Sequence, residues 1–254
     1  MDTTIFQKFY EEKTALINPT DCTKPIDNFP EVCISTFSKN IIDKFISLNS
    51  VQKIAELYTA NGVNPVYKIN YKGKEIAFYL SLVGASACVS GLEEIIALGA
   101  KKIILFGSCG ILNDSVKDKI IIPTSAVRDA GTSYHYIPAN QELSVNPEYI
   151  NTLISCLDKY NCPYITGKSW TTDGIYRETL AIINDRKAQG CIPVELEFSA
   201  ALAVCTFRNI PFLQFLSGAD CLDNDTWDIR ELCEYELSKA EKLMFLALEC
   251  GIAL

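Results

Sequence analysis

Short apolar runs alternate with longer amphipathic stretches along most of the chain. The runs Lys102–Phe106 and Ile210–Leu216 are mostly apolar, which is typical of strands buried on both faces of a sheet. Apolar residues in Tyr149–Tyr160 instead recur with the spacing of one helix face. Strands that alternate with helices in this way predict an α/β fold, in which helices cover a sheet.

Local signals add a hairpin and two long helices to this pattern. Val66–Tyr71 and Glu75–Val83 flank Lys72-Gly73-Lys74, whose glycine suits a tight turn between antiparallel strands. Ile41–Ala60 has helical periodicity, so we predict one helix there. A second long helix is predicted from about Asp228 to Glu249.

Residues 1–30 differ from the rest because they are polar and contain Pro19, Pro25 and Pro30. We predict an N-terminal helix followed by an irregular arm in this part. No linker or low-complexity stretch divides the remainder of the chain. The sequence therefore predicts a single domain over residues 1–254, with a mixed, twisted sheet flanked by helices.

The 254 residues are 48% hydrophobic and carry a formal net charge of −8, which restricts the possible partners. An acidic chain without a basic cluster is poorly suited to nucleic acid, whose phosphates need a positive surface. No apolar stretch reaches the roughly 18 residues of a membrane span, and the N-terminus lacks a signal-peptide pattern. We expect a cytoplasmic protein that binds neither nucleic acid nor membrane.

The chain has eleven cysteines and one histidine, His135. The cysteines lack the paired spacing of a zinc site, and several stand in apolar runs, so we expect buried, reduced thiols. A single histidine also makes a Ser/His or Cys/His nucleophile a poor candidate. We expect no metal and no organic cofactor, and chemistry from carboxylates, hydroxyls and backbone.

Three strands are followed by residues that suit chemistry at the carboxyl end of a sheet, where α/β proteins bind ligands. In Gly107-Ser108-Cys109-Gly110, glycines beside a hydroxyl would let backbone N–H groups approach an anion; the alternative is a plain glycine turn. In Val194-Glu195-Leu196-Glu197, the carboxylates would accept hydrogen bonds from paired hydroxyls; the alternative is capping of the next helix. In Ser217–Asp220, the acid directly follows a buried strand. Desolvation would raise the pKa of Asp220 and suit it to act as a general acid; the alternative is that Asp220 is a solvated acid in a loop.

In this order along the chain, the three segments resemble the nucleoside phosphorylase/nucleosidase superfamily, the group of purine nucleoside phosphorylase and uridine phosphorylase. The resemblance runs from about Lys72 to Trp227. Val194–Glu197 is its most specific element, because it matches the family's Val-Glu-Met-Glu signature with leucine for methionine. The other similar parts are Gly84, Leu92–Glu94, Leu98–Lys102, Arg128–Tyr136, Thr171–Arg177 and Asp220.

The resemblance implies a catalytic pair and a set of binding residues. Glu197 would bind the ribose 2′- and 3′-hydroxyls, and Asp220 would protonate or hydrogen-bond the leaving base. Glu195 and Leu196 would shape the ribose pocket. Further implied contacts are Gly107, Ser108 and Gly110 at the nucleophile, Ile175, Tyr176 and Arg177 at the base, and His135 at the ribose. Tyr134 and Tyr136 are alternatives for the base surface. Arg177 could instead form a surface salt bridge, and His135 could be a packed structural residue.

Two departures from the family concern the phosphate. Asn40 and Leu105 stand where phosphorylases have arginines, and a dianion without these cations loses charge-assisted hydrogen bonds. Lys39, Arg128, Lys168 and Arg177 are the nearest substitutes. The serine that usually precedes the catalytic aspartate is also missing, since Ala219 stands there.

The resemblance implies an enzyme that cleaves the N-glycosidic bond of a nucleoside, with inorganic phosphate as co-substrate and ribose 1-phosphate as product. Asp220 favours a purine, while Arg128–Tyr136 resembles the uridine branch, so both bases stay open. A hydrolytic nucleosidase and a non-catalytic nucleoside-binding or storage protein are the alternatives. Family members assemble as dimers to hexamers, and we expect a homo-oligomer here.

Overall fold

The computed structural model describes residues 8–48, 50–60, 62–224, 226–230 and 237–254. The strands are β1 (Val32–Thr36), β2 (Val51–Thr59), β3 (Gly62–Tyr71), β4 (Lys74–Leu80), β5 (Lys102–Ile111), β6 (Ile120–Asp129), β7 (Tyr164–Thr172), β8 (Cys191–Glu195) and β9 (Phe212–Cys221). The helices are α1 (Pro19–Cys22), α2 (Lys39–Leu48), α3 (Ala85–Leu98), α4 (Pro147–Lys159), α5 (Leu180–Ala188), α6 (Phe198–Arg208) and α7 (Leu237–Ala253). Single 3-10 turns span Asp114–Val116, Gly131–His135 and Ile175–Arg177.

The nine strands form one mixed sheet in the order β2-β3-β4-β1-β5-β8-β7-β6-β9. Strand β9 also pairs with β5, so β5, β8, β7, β6 and β9 close into a ring. Strands β5 and β9 run parallel, and a bulge after Cys109 brings Gly110 opposite Asp220. This pairing sets the carboxyl ends of two central strands side by side. The prediction of a mixed sheet flanked by helices is confirmed.

Successive residues of β5 pack into two different cores, as the alternation of a strand requires. Ile103 and Leu105 contact the core under α3 and α6. Ile104 and Phe106 contact the core under α2, α4 and α7, where Phe106 stacks on Phe215 with ring centroids 5.4 Å apart. Because both faces of β5 are covered, its carboxyl end is held rigidly, and the candidate site is built there.

The prediction of one helix over Ile41–Ala60 is wrong. Helix α2 ends at Leu48, and Val51–Thr59 forms β2, which pairs antiparallel with β3 along its length. The hairpin between β3 and β4 is confirmed; Lys72 and Gly73 form its turn with φ of 53° and 85°. Long-range pairing with this hairpin determined the structure of β2 against its local helical periodicity.

Both chain ends differ in part from expectation. Within the described part of the first thirty residues, residues 8–18 are irregular and the helix is limited to α1, while residues 1–7 lie outside it. At the other end, Asp228 pairs with Cys221 in an isolated bridge rather than opening a helix. Helix α7 starts at Leu237, and residues 231–236 lie outside the described part.

Two further properties concern only the described residues. No helix among them combines the length and apolar character needed to cross a bilayer. Their ten cysteines are free, and all except Cys22 and Cys162 are buried. Most of these thiols therefore serve as small packing groups.

Candidate active site

A cleft of about 280 Å³ opens where β5, β8 and β9 end. Most of the motif residues that the sequence singles out line it, although they come from three separate segments. Strand ends that meet at one edge explain this convergence. The lining residues are Phe37, Val83, Ser108, Cys109, Gly110, Ile175, Glu178, Val194, Glu195, Leu196, Glu197, Asp220 and Leu222.

Glu197 lies at the inner wall of this cleft and is 5% exposed. It is the N-cap residue of α6, and the backbone N–H of Gly84 donates to its Oε1 at 2.7 Å. Gly84 caps α3 with φ of 99°, a conformation that favours glycine. Burial, and then the charge of Glu195, raise the pKa of Glu197 to about 8. The side chain is thus a fixed acceptor in a partly desolvated site.

Glu195 lines the same cleft, but its oxygens are engaged inside the protein. Ser169 and Thr171 donate to Oε1 at 3.0 and 2.5 Å. The backbone N–H groups of Glu197 and Phe198 donate to Oε2 at 2.7 and 2.5 Å. Burial raises the pKa of Glu195, and these four hydrogen bonds act against that rise. Glu195 therefore shapes the site by fixing the start of α6 and the position of Glu197.

Asp220 stands near the end of β9 and is half-buried in the cleft wall. The indole N–H of Trp227 donates to its Oδ2 at 2.8 Å. Its other oxygen lies close to Gly110, where an added Cβ would come within 3.4 Å of Oδ1. That distance is an ordinary contact, but the same Cβ would clash with Leu222 and Val194, at 2.6 and 2.9 Å, so the absence of a side chain at Gly110 leaves room for these two side chains of the cleft wall.

The segment Gly107–Gly110 differs from the predicted loop, because it belongs to β5 and pairs with β9. Strand β9 pairs with this segment on one side, while on the other side the β1 pairing ends at Phe106 and the β8 pairing begins at Gly110. The ladder therefore engages only one side of this backbone. Ser108 is exposed and lines the cleft. Gly107 does not line it; its Cα faces the Phe37 ring, which an added Cβ would meet at 2.9 Å.

A second, mostly apolar chamber of about 430 Å³ adjoins the first. Glu178 and Asp220 line both chambers, so they stand at the junction. Burial, and then the charge of Asp220, raise the pKa of Glu178 to about 7. Glu178 was not among the residues predicted from the sequence. The lining of this chamber is Ile175, Tyr176, Glu178, Leu180, Ile183, Asp220, Leu222, Asn224 and Trp227.

The base-side segment contributes only part of its predicted set. Ile175 lines both chambers and Tyr176 the second, and both are exposed. Arg177 is exposed and lines neither chamber. Ile175 and Tyr176 are thus available to cover a flat ligand.

The segment Arg128–Tyr136 lies away from the cleft. His135 is exposed and lines neither chamber. Tyr136 packs edge-on against Phe207, at a centroid distance of 5.6 Å. The hydroxyl of Tyr134 donates to the backbone oxygen of Arg128 at 2.5 Å. Neither tyrosine lines a chamber of its own chain.

The described lining of the cleft contains carboxyl groups but no cationic side chain. No lysine or arginine among the described residues lines either chamber, while four carboxyl groups do. Arg128 is used locally, because its guanidinium donates to Ser133 and to the backbone oxygens of Ile137, Pro138 and Gln141.

The other positions considered for phosphate binding give no cation either. Lys39 pairs with Asp43 one helical turn away. Leu105 is fully buried in the core under α3 and α6. Neither Asn40 nor Lys168 lines the chambers. Within the described ranges, no group of three His, Cys, Asp or Glu side chains is arranged to hold a metal ion.

Comparison with known proteins agrees with this architecture. The family model of the Phosphorylase superfamily matches residues 39–248, so the chain belongs to that superfamily. This confirms the resemblance seen in the sequence.

Two curated relatives illustrate the similarity within this superfamily. Purine nucleoside phosphorylase of Plasmodium falciparum is 26% identical over 170 residues, which are 64% of this chain and 69% of the relative. The DeoD-type purine nucleoside phosphorylase of Aliivibrio salmonicida is 24% identical over 216 residues, which are 83% and 89% of the two chains.

Two solved structures show the same fold at lower identity. Purine nucleoside phosphorylase from Toxoplasma gondii, in complex with immucillin-H, has a TM-score of 0.75 and 18% identity, with 89% of this chain and 92% of that chain covered. Uridine phosphorylase from Vibrio fischeri has a TM-score of 0.75 and 19% identity, with 96% and 99% covered. These likenesses establish the fold.

Proposed function

We propose that this protein is a pentosyltransferase that cleaves the N-glycosidic bond of a nucleoside. The observation that carries the proposal is the buried carboxyl of Glu197, held by the Gly84 amide at the wall of a cleft that also contains Asp220. A fixed carboxylate can accept hydrogen bonds from both vicinal hydroxyls of a ribose. The names of the curated relatives, purine nucleoside phosphorylases, support the same reaction class.

In this mechanism each chamber binds one part of the substrate. The ribose occupies the first chamber, between Glu197, Leu196 and Ser108, and the base occupies the apolar second chamber. The reaction passes through an oxocarbenium-like sugar, and charge develops on the leaving base. Asp220, oriented by the Trp227 indole, hydrogen-bonds the base and stabilises that charge.

We propose phosphate as the acceptor and a purine as the preferred base, which the names of the curated relatives support. Phosphate needs charge-assisted donors, and the described lining supplies none from lysine or arginine. A second copy of the chain would therefore have to bring a cation to the cleft, so the proposal includes a homo-oligomer with shared sites.

Hydrolysis is the second candidate, and the absence of lysine and arginine from the described lining favours it specifically. A phosphate dianion needs cationic donors that this lining does not supply, whereas a water molecule needs none. The same ribose and base contacts would serve, with water attacking the sugar instead of phosphate. The two candidates differ only in the acceptor.

Product analysis with inosine, adenosine and uridine, with and without phosphate, tests both candidates. Ribose 1-phosphate formed only with phosphate supports phosphorolysis, and free ribose formed at the same rate without phosphate supports hydrolysis. A Glu197→Gln preparation purified in parallel excludes a contaminating enzyme. If no base is released from any of the three nucleosides, the proposed activity is wrong.

A further inference from the structure

Glu178 lines the cleft, has no role in the mechanism above and, unlike Glu195, has no structural partner among the described residues. It directly follows the 3-10 turn Ile175–Arg177 and precedes Thr179, the N-cap residue of α5. Glu195 has four donors, Glu197 is held by Gly84, and Asp220 accepts from Trp227. The described part of the chain gives the Glu178 carboxyl no hydrogen bond or ion pair. A side chain at a cleft wall without a partner in the protein is free to meet a ligand.

The position of Glu178 is specific, since it lines both chambers together with Asp220, Ile175 and Leu222. If the ribose lies against Glu197 and the base lies in the apolar chamber, this junction is where the bond between them breaks. We propose, on the basis of the proposed function, that Glu178 is a second acid of the reaction, which gives a proton to the leaving base while Asp220 orients it.

The surroundings of Glu178 favour the protonated carboxyl. The other titratable groups that line the first chamber are Cys109, Glu195, Glu197 and Asp220, and Tyr176 joins Asp220 in the second. None of these groups carries a positive charge that would stabilise a Glu178 carboxylate. Burial, followed by Asp220, raises the pKa of Glu178 to about 7, so a large fraction holds a proton near neutral pH.

Atoms, electrons and protons balance in this step. The bond between the sugar carbon and the base nitrogen breaks, and its electron pair goes to the base. The O–H bond of Glu178 breaks, its proton goes to the base, and Glu178 becomes a carboxylate. The attacking water or hydrogen phosphate loses one proton, which returns to Glu178 through solvent. No oxidant, reductant or further reactant is needed.

The test measures kcat/KM for inosine and adenosine between pH 5 and 9 in the whole protein, for wild type, Glu178→Gln and Glu178→Asp. The exposed Glu142, away from both chambers, gives the matched control Glu142→Gln. We expect wild-type kcat/KM to fall as pH rises above about 7. Glu178→Gln should lose about 10²-fold at pH 6 and lose this alkaline limb, as expected for removal of a general acid. Glu178→Asp should keep part of the activity and the limb.

A substrate that needs no proton on its leaving group separates chemistry from structure. With 4-nitrophenyl riboside, Glu178→Gln should retain activity within about threefold of wild type. Equal losses on both substrates would assign Glu178 a structural role, and an unchanged alkaline limb in Glu178→Gln would also overturn the inference. If wild type releases base from neither inosine nor adenosine, the proposed function fails, and this inference fails with it.

Discussion

The two ends of the cleft, which the proposed function assigns to the ribose and to the base, are built in opposite ways. At the ribose end, Glu195 has four hydrogen bonds and Glu197 is fixed by Gly84, and both carboxyls are 5% exposed. At the base end, Tyr176 is 95% exposed and Trp227 is 59% exposed. One end is part of the core, and the other is an open apolar rim.

This difference suggests that the two ends have different roles in recognising the substrate. Buried carboxyl groups held by backbone and hydroxyl donors are rigid and suit a constant group, which in the proposed function is the sugar. An open rim of apolar side chains changes with little cost to stability, so it can determine which base is accepted. Substitutions at each end would show whether the two ends are separate in this way.

The largest effect is expected when Glu197 can no longer ionise. In Glu197→Gln, the ribose hydroxyls keep a neutral acceptor but lose the charge-assisted hydrogen bonds of the ionised carboxylate. Above pH 8, where wild-type Glu197 ionises, the transition-state stabilisation measured by kcat/KM should fall by about 2–4 kcal/mol. The substitution is isosteric and the fold should persist. Steady-state kinetics with ribonucleosides measures the loss, with Glu142→Gln as the matched control. Turnover close to wild type would mean that Glu197 does not hold the sugar.

Glu195 should affect stability more than its position in the cleft suggests. Glu195→Ala leaves Ser169, Thr171 and two buried N–H groups at the start of α6 without their acceptor. We expect the unfolding free energy to fall by about 3 kcal/mol, or the melting temperature by about 6–12 °C. Thermal unfolding measures this. A variant that melts normally but binds nucleosides poorly would instead make Glu195 a direct ligand contact.

The ribose end was predictable because its signal is local. Val194–Glu197 carries both carboxylates and the helix start in four consecutive residues, and the structure places them at one strand end. Asp220 was predictable for a similar reason, since it follows the apolar core of β9. The alternation of strands and helices gave the α/β class, because burial on two faces produces long apolar runs.

Other features depend on long-range contacts that no local pattern contains. Glu178 looks like an ordinary acid beside a helix start, and only the approach of β9 brings Asp220 to it. The β2 segment has helical periodicity, but in the structure it is a strand paired with β3. Gly107–Gly110 reads as a loop, but β9 extends the ladder along it. Tertiary pairing decided each of these cases against the local signal.

A smaller effect concerns pH and stability at the ribose end. The pKa of Glu197 is raised from 4.5 to about 8 in the folded state. An acid with a raised folded pKa contributes full stability below pH 4.5 and loses that contribution as pH rises to about 8. Because water can reach the cleft when Glu197 ionises, we expect a loss of about 2 kcal/mol.

Denaturant unfolding of wild type and Glu197→Gln at pH 5 and pH 9 checks this pH dependence. The wild-type unfolding free energy should fall more steeply with pH than that of the variant. Parallel curves would show that Glu197 titrates normally in the folded protein, and the rigid, desolvated ribose end would then need revision.

The smallest effect should come from Trp227, at the rim of the base end. Trp227→Phe removes the indole N–H that donates to Asp220 but keeps an aromatic face. Since this bond lies at an exposed side chain, its loss should cost about 1 kcal/mol, or about fivefold in kcat/KM. The melting temperature should stay within about 1 °C of wild type, because the rim contributes little to the core. The ratio of kcat/KM for inosine, adenosine and uridine should shift more than any one value, as expected if this end selects the base. A uniform loss on all three nucleosides would instead place Trp227 with the rigid ribose end and remove the division between the two halves.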